Sequence, residues 1–105
     1  MTLDPGTQLA VRLVGDGVFQ VSGELDIRTC ERLESIAGDL VDGGGRVVLD
    51  LAELSFCDST GLAGLVRLHK RAVAAGGSLV LRSPVPRVQH LLNLTGLVRL
   101  FPVES

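Results

Sequence analysis

The run Val47-Val48-Leu49-Asp50-Leu51 leads toward Asp58-Ser59-Thr60-Gly61 and then into an apolar stripe with helical spacing. No other stretch limits the fold so tightly. From Arg46 to Leu51 the chain is β-branched and almost wholly apolar, the pattern of a strand covered on both faces and so of a central, parallel position. Parallel neighbours cannot be joined by a tight turn; each pair needs a crossover, usually a helix lying on the sheet. An α/β fold follows. The same stretch delivers a hydroxyl to the start of a helix, where unpaired backbone N–H groups and roughly half a positive charge tolerate an anion.

On either side, the apolar period changes with the element. Leu9, Val11 and Leu13 alternate, Gly15-Asp16-Gly17 breaks the run, and Phe19 and Val21 alternate again, which predicts a hairpin. From Ile27 the spacing becomes three and four: Cys30, Leu33, Ile36, Ala37, Leu40 and Val41 form the inner stripe of a helix that Gly43-Gly44-Gly45 ends. Leu62, Leu65, Val66, His69, Ala72 and Val73 mark a second helix, closed by Gly76-Gly77, and Ser78 to Leu81 reads as a further buried strand. Ser83-Pro84-Val85-Pro86 opens a third helix, with Val88, Leu91 and Leu92 facing inward and Gly96 as the stop. Leu97 to Val103 is expected to add an edge strand, with Pro102 at its margin. This order predicts a mixed sheet of four to five strands flanked by three to four helices, with two right-handed crossovers. Residues 1–7 read as a loose N-terminal extension and 8–105 as one domain, which suits a chain of 105 residues.

Composition removes several function classes. A net charge of −2 with no basic run provides no phosphate-tracking surface, and the absence of Trp and Tyr removes the platforms on which bases stack, so direct nucleic-acid binding is not expected. Cys30 and Cys57 form no C-x-x-C pair and read as reduced core residues. No apolar run approaches the ~20 residues that span a bilayer, and Met1-Thr2-Leu3-Asp4-Pro5 has no cationic segment with an apolar stretch behind it, so a cytoplasmic location without membrane contact is expected. His69 and His90 share no metal-like spacing with a second ligand and read as core or surface residues.

Asp58-Ser59-Thr60-Gly61 admits four readings. In the plainest, Asp58 or Ser59 caps the second helix and Gly61 lets the turn pack closely. A serine nucleophile on a strand-to-helix elbow needs Gly-x-Ser-x-Gly, but Cys57 stands where the first glycine belongs. His69 lies ten residues along the helix that Ser59 opens, ~15 Å away and out of reach as a base. An aspartic protease uses Asp-Ser/Thr-Gly, whereas two hydroxyl residues separate Asp58 from Gly61 and the motif precedes a helix. The fourth reading makes Ser59 a phosphoacceptor, since a phosphoryl group there adds about −1.5 to −2 charges at a surface turn.

Asp58-Ser59-Thr60-Gly61-Leu62 after the Asp-Leu-x-x-Leu-Ser-Phe approach, Gly23-Glu24-Leu25-Asp26 after the hairpin, Ala75-Gly76-Gly77 before a strand and Leu91-x-x-x-x-Gly96-Leu97 stand in one order over roughly Leu9 to Phe101. In that order and spacing the chain resembles an anti-sigma factor antagonist of the STAS domain family. The resemblance implies a single STAS-like domain and a non-enzymatic protein. Such a protein binds a cognate anti-sigma factor that is itself an ATP-dependent serine kinase, and so frees a sigma factor. It further implies that Ser59 is the phosphorylation site, that phosphorylation releases the kinase, and that a phosphatase resets the switch. Thr60 stands where many relatives carry a second serine. Glu24, Asp26, Asp58, Thr60, Gly61 and Leu62 are the expected partner-binding residues, with Glu24, Asp26 and Asp58 as an acidic rim near Ser59. Read on the residues alone, Asp26 caps the first helix and Glu24 is a solvated carboxylate.

No cofactor is expected, because the chain has neither a Gly-x-x-x-x-Gly-Lys loop nor a kinase catalytic loop. A rival reading keeps the fold but makes the chain a subunit or scaffold of another complex, in lipid or anion transport or ligand sensing. With no hydrolase elbow, the purified chain is expected to leave an activated ester unhydrolysed; Ser59-dependent release of the leaving group would restore the nucleophile reading.

Overall fold

In the first strand pair, alternation becomes register. The structure, a computed structural model, describes residues 8–105, and the extension expected at residues 1–7 lies outside the described residues. Strand β1 (Leu9–Gly15) runs antiparallel to β2 (Val18–Leu25), pairing Leu9 with Gly23, Val11 with Val21 and Leu13 with Phe19. Gly17 turns the chain at a φ of 69°, and a Cβ there would sit 2.7 Å from the Arg46 carbonyl oxygen. Its own carbonyl accepts from Val48 N–H at 2.7 Å, so the hairpin tip is tied to the start of the next strand.

The remaining strands, β3 (Arg46–Cys57), β4 (Ser78–Arg82) and β5 (Val103–Glu104), follow in parallel, and the sheet order β1-β2-β3-β4-β5 is the chain order. Helices α1 (Cys30–Asp42), α2 (Ser59–Ala74) and α3 (Pro86–Thr95) make the connections. There are thus three crossovers, not the expected two, because even the two-residue β5 pairs with β4. Right-handed crossovers that always step the same way along a sheet place every helix on the same face. Leu33 of α1, Leu65 and Leu68 of α2, and Val88 and Leu92 of α3 accordingly meet in one core with Phe19, Leu49 and Leu81.

Strand β3 is buried on both faces as expected, with the helices on one of them. Val47, Leu49 and Leu51 belong to the core under the helices, whereas Val48 and its register partner Val80 are buried outside it. Ion pairs flank them: Glu104 accepts from Arg46 at 2.7 Å and from Arg82 at 3.0 Å, and the register sets Arg46 one pleat row before Val80 and Arg82 one after.

Strand β3 also runs on past Leu51, where the apolar alternation stops. Two bulges against β2 explain the break, since Gln20 and Ser22 face Asp50 and Glu53, and Gly23 and Glu24 face Leu54 and Phe56. Each extra residue resets the side-chain period, and the buried positions then fall at Leu51, Leu54 and Cys57. Both irregularities are satisfied locally, with Asp50 Oδ1 accepting from Ala52 N–H at 3.0 Å and Ser55 Oγ donating to the Gly23 carbonyl at 3.0 Å.

The helices keep their expected positions with shifted faces. In α1, Ile36 and Leu40 lie on the flank and are partly exposed, leaving Cys30, Leu33, Ala37 and Val41 inside. In α2, Leu68 joins the core and Val73 is 58% exposed, because one residue beyond Ala72 turns about 100° off the inner stripe. The edge strand expected from Leu97 to Val103 shrinks to Val103–Glu104. Gly96 stops α3 at a φ of 76°, a 3₁₀ turn spans Leu97–Arg99, and Phe101 folds back into the core edge-on to His69, centroids 5.4 Å apart.

Leu65→Ala is expected to lose about 2–5 kcal/mol of unfolding free energy in urea titration, and Val73→Ala to stay within about 0.5 kcal/mol. A larger loss for Val73→Ala than for Leu65→Ala would show that Val73, not Leu65, belongs to the packed face.

Candidate functional site

Parallel pairing sets the ends of β2 and β3 side by side, with Leu25 opposite Cys57, and the backbone N–H of Asp58 donates to the Leu25 carbonyl at 3.3 Å. Asp58 is extended and caps α2, its Oδ1 accepting from Gly61 N–H at 2.9 Å and its carbonyl from Leu62 N–H at 2.9 Å. A Cβ at Gly61 would stand 2.4 Å from the Leu25 carbonyl oxygen, so only glycine lets the first turn of α2 close on the end of β2. Ser59 is the first residue of the helix and is exposed, with half-buried Thr60 beside it. The amides of Ser59 and Thr60 belong to the set that a helix start leaves unpaired, and the N-terminal partial charge lies over them.

The other expected site residues divide by depth. Gly61 is buried against Leu25, and Leu62 lies in the core. These two shape the turn from below, because the inner stripe of α2 starts with them. Asp58 turns its carboxylate inward onto the cap. Glu24, opposite Phe56, is exposed.

Asp26 differs most from expectation. It is only 7% exposed, and it does not cap α1, whose N-cap is Thr29. Its carboxylate accepts from the Arg28 guanidinium at 2.7 Å and from Arg28 N–H at 2.9 Å, while its carbonyl takes the N–H groups of Thr29 and Cys30. Thr29 Oγ1 donates to the Glu24 carbonyl at 2.9 Å and accepts from Asp26 N–H at 3.0 Å, closing the loop. The Arg28 side-chain hydrogen bond holds the Asp26 carboxyl below its ordinary range, against the opposing effect of desolvation. Arg28 also reaches Glu24 at 3.3 Å. The three acids expected as a rim are thus one capping group, one ion-paired group and one exposed glutamate. Arg28 was missed by the sequence reading, although its opposite charge two and four residues after Asp26 and Glu24 is a visible signal.

Next to this loop Ile27 stands 73% exposed, at the mouth of an open groove of about 690 Å³ between α1 and α2 that Thr60 also lines. Cys30 and Cys57 are free thiols and buried; burial, with Asp58 nearby, pushes the Cys57 thiol up to about 12, far from a thiolate nucleophile. His69 packs half-buried on Phe101 and His90 is exposed on α3. No group of three or more potential metal ligands occurs among the described residues, and no described helix is long and apolar enough to cross a membrane.

An exposed serine stands at a capped helix start on the rim of a mixed sheet, and the STAS domain family matches residues 9–105. The chain belongs to the STAS domain family. Among its relatives, the anti-sigma-F factor antagonist RsfB of Mycobacterium tuberculosis is 34% identical over 95 residues, covering 83% of this chain and 74% of the relative. The anti-sigma-B factor antagonist of Bacillus subtilis is 29% identical over 85 residues, covering 81% and 78%. The crystal structure of an anti-sigma factor antagonist from Mycobacterium paratuberculosis superposes with a TM-score of 0.76 at 31% identity, covering 92% of this STAS chain and 84% of that one.

The Asp26–Arg28 pair carries a pH signature. A carboxyl whose folded-state pKa is depressed stabilises the fold above its unfolded pKa of about 3.9 and ceases to do so as pH falls through the folded value. Asp26→Asn is therefore expected to be less stable than the parent at pH 7, the gap closing toward pH 2 in urea titrations. A gap that stays constant with pH would remove the ion pair from the loop's stabilisation.

Proposed function

We propose that this STAS chain is an anti-sigma factor antagonist: it binds a cognate anti-sigma factor with serine-kinase activity, releases a sigma factor, and is switched off when that kinase phosphorylates Ser59. The observation that carries the reading is the position of Ser59, exposed at the first residue of α2 with Asp58 already occupied as the cap. The hydroxyl is presented to a partner while the turn beneath it is held by Gly61 and Leu62. Family membership and relatives that are themselves anti-sigma factor antagonists support the same assignment, and neither favours a transport or scaffold role.

The switch follows from charge. To phosphorylate Ser59, the kinase places the γ-phosphate of ATP in line with its hydroxyl. Once Ser59 carries about −1.5 to −2 charges, a nucleotide phosphate in the same place meets a like charge within a few ångströms. The helix start stabilises the phosphate within the chain, so the repulsion falls on the complex. ATP and magnesium belong to the kinase, and a phosphatase removes the phosphate. The chain itself works by binding, performs no chemistry, and acts in the cytoplasm. Glu24, Asp58 and Thr60 ring Ser59 at the docking surface, with Asp26, Gly61 and Leu62 behind them.

Incubation with ATP and the anti-sigma factor kinase purified from the native host is expected to add one phosphoryl mass to the parent and none to Ser59→Ala. Ser59→Glu is expected to weaken kinase binding at least tenfold by calorimetry, about 1.4 kcal/mol. Phosphate retained in Ser59→Ala, or equal affinity for Ser59→Glu, would overturn the switch.

A further inference from the structure

The groove between α1 and α2 has a charge pattern that the Ser59 turn does not use. Its two arginines are already paired, Arg67 with Glu34 at 2.8 Å and Arg71 with Asp42 at 2.7 Å. The groove also contains Glu31 and Asp39, which form no ion pair among the described residues. Both are exposed, and eight helical residues put them about 12 Å apart on α1. Ile27, in the turn that leads into α1, lines the groove as well, so an exposed apolar side chain stands beside the two carboxylates. Thr60 makes the groove continuous with the phosphoacceptor turn.

We infer that this groove is a second docking subsite, occupied by a basic amphipathic segment of the anti-sigma factor, with an apolar residue over Ile27 and cationic residues over Glu31 and Asp39. The inference rests on the function proposed above and names the chemistry of the partner. Charge complementarity decides the occupant: with Arg67 and Arg71 neutralised in place, the uncompensated charge of the groove is negative, and an acidic segment is repelled. The division of roles is also physical. The basic segment is drawn to α1 whatever the state of Ser59, while phosphate at Ser59 opposes the nucleotide, so the groove sets affinity and the turn sets the switch.

The test compares Glu31→Gln/Asp39→Asn with Asp16→Asn/Glu53→Gln, which removes the same two charges from exposed sites elsewhere. Affinity for the host anti-sigma factor kinase is measured by calorimetry, and phosphorylation by initial rates, at 50 mM and 500 mM salt. All the altered side chains are exposed, and thermal unfolding verifies that both variants are folded. The groove variant is expected to raise Kd and KM about three- to tenfold at low salt, with kcat unchanged and the difference gone at high salt. The control is expected to match the parent. Equal Kd for the two variants, or a loss that persists at 500 mM salt, overturns the groove. If the parent binds but is not phosphorylated, the Ser59 reading falls while the groove comparison still stands on Kd; if the parent does not bind, both fall.

Discussion

One close approach organises the functional end of this STAS domain: the Leu25 carbonyl at the end of β2 receives Asp58 N–H and lies against Gly61 where any side chain would collide. A strand end and a helix start, more than thirty residues apart in sequence, are thereby locked in contact. Any other residue at 61 lifts the first turn of α2, and the orientation of Ser59 changes with it. Because Asp58 satisfies the helix from within, the hydroxyl of Ser59 is left on the outside of the corner.

The electrostatics around that corner are more economical than three neighbouring acids imply. Asp26 is held by Arg28, Asp58 by the helix cap, and Glu24 alone faces outward, itself within reach of Arg28. The phosphorylation proposed for Ser59 would add about −1.5 to −2 charges beside acids that already have partners.

The bulges in β3 show how the sheet reaches the corner. A regular strand from Arg46 would have kept the parity of Val47, Leu49 and Leu51; the first inserted residue moves the inward position to Leu54, the second returns it to the original parity at Cys57, and β3 ends level with β2. Asp50 and Ser55 read as ordinary polar residues until their bonds to Ala52 N–H and the Gly23 carbonyl are seen. A bulge is defined against a partner strand, and the partner's register is not written in local periodicity.

What the sequence determined on its own was whatever depends on near neighbours along the chain. The hairpin, the three helices with their glycine stops, the Pro86 start of α3 and the placing of Ser59 at the head of α2 arise from period, φ preference and capping, which act over one to four residues. What only the tertiary structure decided depends on residues brought together from afar. The single helical face, the Arg46–Glu104–Arg82 ion pairs, the return of Phe101 onto His69, the burial of Leu62 and Asp26, and the groove between α1 and α2 are all of this kind. Local rules choose the elements because their energies are settled within a turn or a pleat. The choice of face, depth and partner is made by burial and charge across the whole domain, and no window of sequence contains both sides of those contacts.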